Sequence, residues 1–173
     1  MILIISTCAD TLSELEFVRP IEKIVGACTT KHHKKLTHKD IHAATKIILT
    51  GTALADFEYL IHDFSWLREI TVPVLGICAG MQIIAKEFEL PLVDTKNIGV
   101  RQVQVVEKNK LADSTFNAYF LHTKTGTGNF HVLAKSEGTP CMIKHPSKEI
   151  YGCIFHPEVM NQRIITNFIE NFE

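Results

Sequence analysis

No apolar run in this 173-residue chain approaches the roughly 20 residues that a membrane-crossing helix needs. No C-x-x-C pair occurs among its five cysteines (Cys8, Cys28, Cys78, Cys141, Cys153), so neither a zinc site nor a dithiol redox motif is indicated. Charge of neither sign is in excess. The formal net charge of -1 supplies no general attraction to nucleic acid or to an anionic membrane. Internal repeats, low-complexity tracts and linker-like stretches are missing too, and residues 1–173 are expected to form one domain. Met1-Ile2-Leu3-Ile4-Ile5 lacks the basic start and small-residue cleavage site of a secretory leader and reads as a first strand. An odd, scattered cysteine set without a leader points to a reduced, cytoplasmic setting.

What is present is enough apolar residue for a full core: 46% hydrophobic against 21% charged. Apolar runs at Ile2–Ile5, Ile21–Ala27, Lys46–Thr50 and Val72–Ile77 read as strands. Helical spacing covers Thr11–Arg19 (closed by Pro20), Asp56–Glu69 and Ala79–Phe88. That alternation predicts a parallel sheet covered on both faces. The second half reads differently, with short strands at Val100–Val106, Ala118–Leu121, His131–Lys135, Cys141–Lys144 and Ile150–Phe155, then a helix over Ile164–Phe172. The expected fold is therefore α/β, with a mainly parallel central sheet and a small antiparallel extension.

One junction carries chemistry. Val72-Pro73-Val74-Leu75-Gly76-Ile77 runs into Cys78-Ala79-Gly80, and a helix follows at once. A Gly-x-Cys-x-Gly turn between strand and helix has the layout of a nucleophile elbow, with cysteine in the usual place of serine. The glycines leave room for a sharp, crowded turn. A cysteine at a helix N-terminus faces the positive end of the dipole, which favours thiolate. Such a nucleophile needs a base, and Phe155-His156-Pro157-Glu158-Val159 offers one at the end of an apolar run. His156 is suited to take the thiol proton, and Glu158 to orient the imidazole.

The pair Leu75-Gly76-Ile77-Cys78-Ala79-Gly80-Met81-Gln82 and Phe155-His156-Pro157-Glu158-Val159 resembles the class I (triad-type) glutamine amidotransferases, and the resemblance runs the length of the chain. It implies a three-layer α/β/α fold and hydrolysis of glutamine to glutamate and ammonia without a cofactor or metal. In these terms Cys78 forms a γ-glutamyl thioester, His156 is general base and acid, and Glu158 is the orienting carboxylate. Gln82 falls at the position that contacts bound glutamine, against the alternative of a solvated helix position. Ala79 would give one oxyanion N–H, and the loop containing Gly51 and Thr52 the other. His122 and Thr123 fall at the glutamine pocket, although His122 reads equally as a strand-end histidine. The resemblance also implies an ATP-dependent synthetase as partner, and no ATP-binding motif occurs here, so that partner is expected on a separate chain. Among stand-alone relatives the length and the Cys141–Val159 stretch look most like the glutamine-hydrolysing subunit of a two-subunit GMP synthase, while anthranilate-type synthase subunits and the imidazole glycerol phosphate synthase glutaminase share the same triad motifs.

Three segments depart from the family pattern: Thr52 stands for a second loop glycine, Asn97-Ile98-Gly99 for Glu-Tyr-Gly, and Thr123–Gly128 for a polar, often acidic turn. They surround the substrate, so a γ-glutamyl hydrolase or peptidase on the same fold remains an alternative, as does a non-catalytic regulatory subunit. Lys31-His32-His33-Lys34-Lys35, with His38 and His42 nearby, is expected as a solvated basic loop, because no carboxylate cluster joins it and its lysines repel a cation.

Overall fold

The computed structural model describes residues 1–172. Its strands are β1 (Ile2–Ser6), β2 (Cys28–His32), β3 (Lys46–Leu49), β4 (Val74–Ile77), β5 (Val93–Val105), β6 (Phe116–Thr125), β7 (His131–Ser136), β8 (Thr139–Lys144) and β9 (Ile150–Cys153). The helices are α1 (Glu14–Phe17), α2 (Arg19–Val25), α3 (His38–Ala43), α4 (Ala79–Glu87) and α5 (Arg163–Glu170). All nine strands join one sheet in the order β2-β1-β3-β4-β9-β8-β7-β5-β6. From β2 to β9 the pairings are parallel, and from β9 to β6 they are antiparallel.

The inner strands β1, β3 and β4 are mostly apolar, as burial on both faces requires: Leu3, Ile4, Ile5, Ile47, Ile48, Leu49, Val74 and Leu75 have no exposed surface, whereas the edge strand β2 is polar and half-buried. Side chains of successive strand residues leave by opposite faces. Gly152 of β9 lies beside Gly76 of β4 in register, and a Cβ on either would meet α4, at Met81 or Ile84. Its neighbour Tyr151 stacks edge-on against Phe172, just past α5, at 5.0 Å. Helices α4 and α5 therefore cover opposite faces, giving three layers. Helix α5 packs by Ile164, Ile165 and Phe168, each worth roughly 1.5–3 kcal/mol of burial.

Ile21–Ala27 is not a strand; α2 takes most of it, with Pro20 in its first turn. Proline fits there because its missing N–H would have no helical partner. Pro20 thus opens a helix rather than closing the one before, and of Thr11–Arg19 only Glu14–Phe17 is regular α-helix before α2 begins. The expected helix over Asp56–Glu69 is two 3₁₀ turns, Glu58–Ile61 and Ser65–Arg68. Asp56 and Asp63 each accept the backbone N–H two residues on, at 3.0 and 2.8 Å, and so restart the chain twice. Helix α3 begins at a reciprocal cap between Thr37 and Asp40.

The basic tract is only partly solvated. Lys31 and His32 finish β2, and His33 is buried with Nδ1 3.1 Å from the Ser6 carbonyl. Burial, opposed by that hydrogen bond, lowers the His33 pKa to about 4. Lys34 and Lys35 face water.

Candidate active site

Three loops leave the C-terminal ends of adjacent parallel strands and meet: Thr50–Thr52 after β3, Cys78 after β4, and His156 after β9. This is the rim where open α/β sheets place their sites. Cys78 caps α4 at φ 50°, ψ −101°, a region that L-residues other than glycine rarely enter. A strained residue of this kind costs about 1–3 kcal/mol and persists only where its surroundings over-determine it. Here the Cys78 N–H donates to the Cys153 carbonyl at 2.8 Å, and its carbonyl accepts from Gln82 N–H at 3.1 Å. The thiol donates to the Leu121 carbonyl at 3.5 Å.

His156 is fully buried, and its Nδ1 lies 2.7 Å from Glu158 Oε1. Its backbone N–H donates to Tyr119 of β6 at 2.8 Å, and the Phe17 ring of α1 stands 5.5 Å away. Burial alone lowers an imidazole pKa. The charge of Cys78 beside the ring, followed by Glu158, outweighs burial and raises the His156 pKa well above the ordinary value. With Nδ1 committed to Glu158, Nε2 is the nitrogen left for proton exchange; it is buried and has no hydrogen-bond partner among the described residues.

A Cβ on Gly51 would lie 2.7 Å from His156 Cε1 and 3.5 Å from Cys78 Cβ. Glycine is needed there for proximity rather than for dihedral freedom, since Gly51 has no positive φ. Thr52 likewise has no positive φ, so the missing second loop glycine carries no backbone penalty in this conformation. The Thr52 hydroxyl donates to Asp56 Oδ2 at 2.7 Å, and that oxygen also accepts the Ala9 N–H at 2.6 Å. Thr52 and Ala79 both line the small pocket over Cys78.

Gln82, His122 and Thr123 line the same pocket. Gln82 is buried rather than solvated, and its amide is already used: Oε1 accepts the Tyr59 hydroxyl, and Nε2 donates to the Lys124 carbonyl at 2.9 Å. His122 is buried, with Nδ1 unpartnered among the described residues. Burial, helped by the charge of His156, lowers its pKa to about 4 and keeps it neutral. Phe57 and Tyr59 complete the wall, and the open space is ≈ 10 Å³, about the room of one water. A ligand larger than one water therefore enters only if this wall moves. Tyr59→Phe removes the hydroxyl that occupies Gln82. The expected result is a loss of about 0.5–1.5 kcal/mol by denaturant unfolding together with a lower KM for the substrate. A raised KM would mean that the hydroxyl itself binds substrate.

Tyr59, Phe57 and the Leu121 carbonyl are additions that sequence reasoning does not supply. Nothing in the local pattern of Glu58-Tyr59-Leu60 indicates that a residue 23 positions before Gln82 reaches it.

A strained cysteine at a strand–helix elbow beside a buried His–Glu pair, on a parallel sheet covered on both faces, defines an elbow-type cysteine protein of the α/β class. The glutamine amidotransferase class-I family profile matches residues 18–173, and the chain belongs to that family. A GMP synthase [glutamine-hydrolyzing] of Spiroplasma kunkelii is 34% identical over 140 residues, which cover 72% of this chain but 27% of that protein. One subunit of the GMP synthase of Methanococcus maripaludis is 36% identical over 111 residues, 58% of either chain. The matched segments thus span about a quarter to three fifths of these relatives' own lengths. Among solved structures, a Thermoplasma acidophilum protein described as one subunit of a GMP synthase superposes with a TM-score of 0.80 at 21% identity, covering 98% of this chain and 92% of that one. At that identity the likeness is one of fold.

Proposed function

We propose that residues 1–173 act as one glutaminase domain that hydrolyses glutamine through a thioester on Cys78 and passes the ammonia to a separate ATP-dependent synthetase subunit, of the GMP synthase type. The observation that carries this reading is the buried His156–Glu158 pair, 2.7 Å apart, packed with Gly51 against the strained Cys78. His156 Nε2 takes the thiol proton while Cys78 Sγ attacks the side-chain amide carbon of glutamine. The oxygen gains negative charge and is met by the N–H groups of Thr52 and Ala79. His156 then gives its proton to the departing amine, which leaves as ammonia. Water, deprotonated by His156, attacks the thioester, and glutamate leaves as the thiol is restored. Glu158 holds the imidazolium throughout. Gln82, His122 and Thr123 surround the substrate. The partner assignment draws on the relatives, which are glutamine-hydrolysing GMP synthases, and five free cysteines support a reducing, cytoplasmic setting.

The test offers the chain glutamine, γ-glutamyl peptides and γ-glutamyl amines, with and without a GMP synthetase subunit. Ammonia release from glutamine, raised by the synthetase, is the expected result. Turnover of the γ-glutamyl peptides or amines alone would replace the amidotransferase reading by a hydrolase. Failure of Cys78 to react with a diazo-ketone glutamine analogue, in either condition, would leave a non-catalytic subunit.

A further inference from the structure

We propose that Thr7 and Thr50 are positioning residues that lock the Gly51–Thr52 peptide with its N–H directed at the nucleophile. The proposal rests on the glutaminase reading of Cys78. The Gly51 carbonyl accepts from Thr50 Oγ1 at 3.0 Å, from Thr7 Oγ1 at 3.2 Å and from Cys8 Sγ at 3.7 Å. All these donors are fully buried, and none belongs to the catalytic set. Each threonine is itself fixed. Thr50 Oγ1 accepts the Thr7 N–H at 3.3 Å, so its own proton is free for Gly51, and Thr7 Oγ1 shares its proton with the Thr50 carbonyl at 3.0 Å.

A trans peptide points its C=O and N–H in opposite directions. With the Gly51 oxygen drawn toward the end of β1, the Thr52 N–H is turned away from β1. The Gly51 backbone runs close beside the site, where a Cβ would lie 2.7 Å from His156 Cε1 and 3.5 Å from Cys78 Cβ. No hydrogen-bond partner occupies the Thr52 N–H among the described residues. Thr52 is pinned from below as well, through its hydroxyl to Asp56, which is tied to Ala9. Rotating the peptide would break every bond to the Gly51 oxygen at once and leave the buried Thr50 hydroxyl without its acceptor. The donor for the developing oxyanion is thus set in place before substrate arrives. A loop that carries threonine rather than a second glycine can hold this arrangement because it has no need to flip.

The test is Thr7→Val/Thr50→Val, which keeps side-chain shape and removes both hydroxyls, beside Thr7→Ser/Thr50→Ser, which restores them. Single Thr7→Val serves should the double variant fold poorly. Loss of the lock removes one oxyanion donor from the transition state only. The expected result is a fall in kcat of roughly 10²-fold or more with KM unchanged for the double valine variant, and kcat within about threefold of the parent for the serine variant. A kcat that survives the valines, or that falls equally with the serines, overturns the proposal. A crystal structure of the valine variant decides the matter independently. A Gly51 carbonyl still directed at Cys8 overturns the lock, and a rotated one supports it. If the parent chain does not hydrolyse glutamine with its synthetase, the proposed function fails, while this structural result still stands or falls by itself.

Discussion

Cys78→Ala is expected to lower the kcat for glutamine hydrolysis by roughly four to six orders of magnitude, because the proposed thioester forms on its sulfur. The fold should survive, since alanine removes one sulfur and a single long contact to the Leu121 carbonyl. Alanine also inherits the full strain of φ 50°, which any Cβ suffers. Cys78→Gly separates the two effects. It is equally inactive, but glycine adopts this backbone freely, so it recovers part of the 1–3 kcal/mol typical of such strain despite its larger loss of chain entropy. Chemical unfolding of the three proteins measures this. An alanine variant with residual turnover above a few parts in ten thousand, on the scale of that loss, would remove Cys78 from the mechanism. A glycine variant markedly less stable than the alanine one would show that the elbow stores no strain.

Gly76→Ala should unfold or severely destabilise the protein without touching a reacting group. A Cβ there would lie 2.6 Å from both the carbonyl carbon and oxygen of Gly80, and 2.6 Å from Ile84 Cδ1. The first two belong to the backbone of α4, which cannot step aside as a side-chain tip can. Overpacking of a tight core costs about 1–3 kcal/mol, and a backbone collision sits at or beyond the top of that range. At about 2–4 °C of Tm per kcal/mol for a chain of this size, a drop of about 6–12 °C or more is expected. Gly138→Ala is the control: nothing lies within 4 Å of its new Cβ, and only the positive φ of 79° is penalised. Equal Tm losses in the two variants would show that helix and strand do not press together at Gly76.

What is readable in the sequence follows from how local each requirement is. The elbow is legible because the need for glycine on both sides of Cys78 is met within five residues. His156 and Glu158 are legible because their hydrogen bond spans two positions. The branched run Ile21–Val25 resembles a strand because Ile and Val favour strands, and the helix-opening role of Pro20 outweighs that preference. Two aspartates break up the apolar spacing of residues 56–69, and the periodicity of the large side chains masks them as turn formers. The part of the wall made by Phe57 and Tyr59, and the support of Gly51 from Thr7, are not legible. Tyr59 meets Gln82 across 23 residues, and Thr7 meets Gly51 across 44. Such pairs exist only once the sheet has assembled.

Strand β6 reaches the site through two carbonyls on the same strand, Tyr119 to the His156 N–H and Leu121 to the Cys78 thiol. The backbones of Cys78 and His156, like those of Gly51 and Thr52, leave parallel strands (β4, β9 and β3), so β6 is a second support, from the antiparallel half, for the nucleophile and its base. Simple alkylation of Cys78 reports on the reactivity of the thiol and is blind to the oxyanion donor proposed for Thr52.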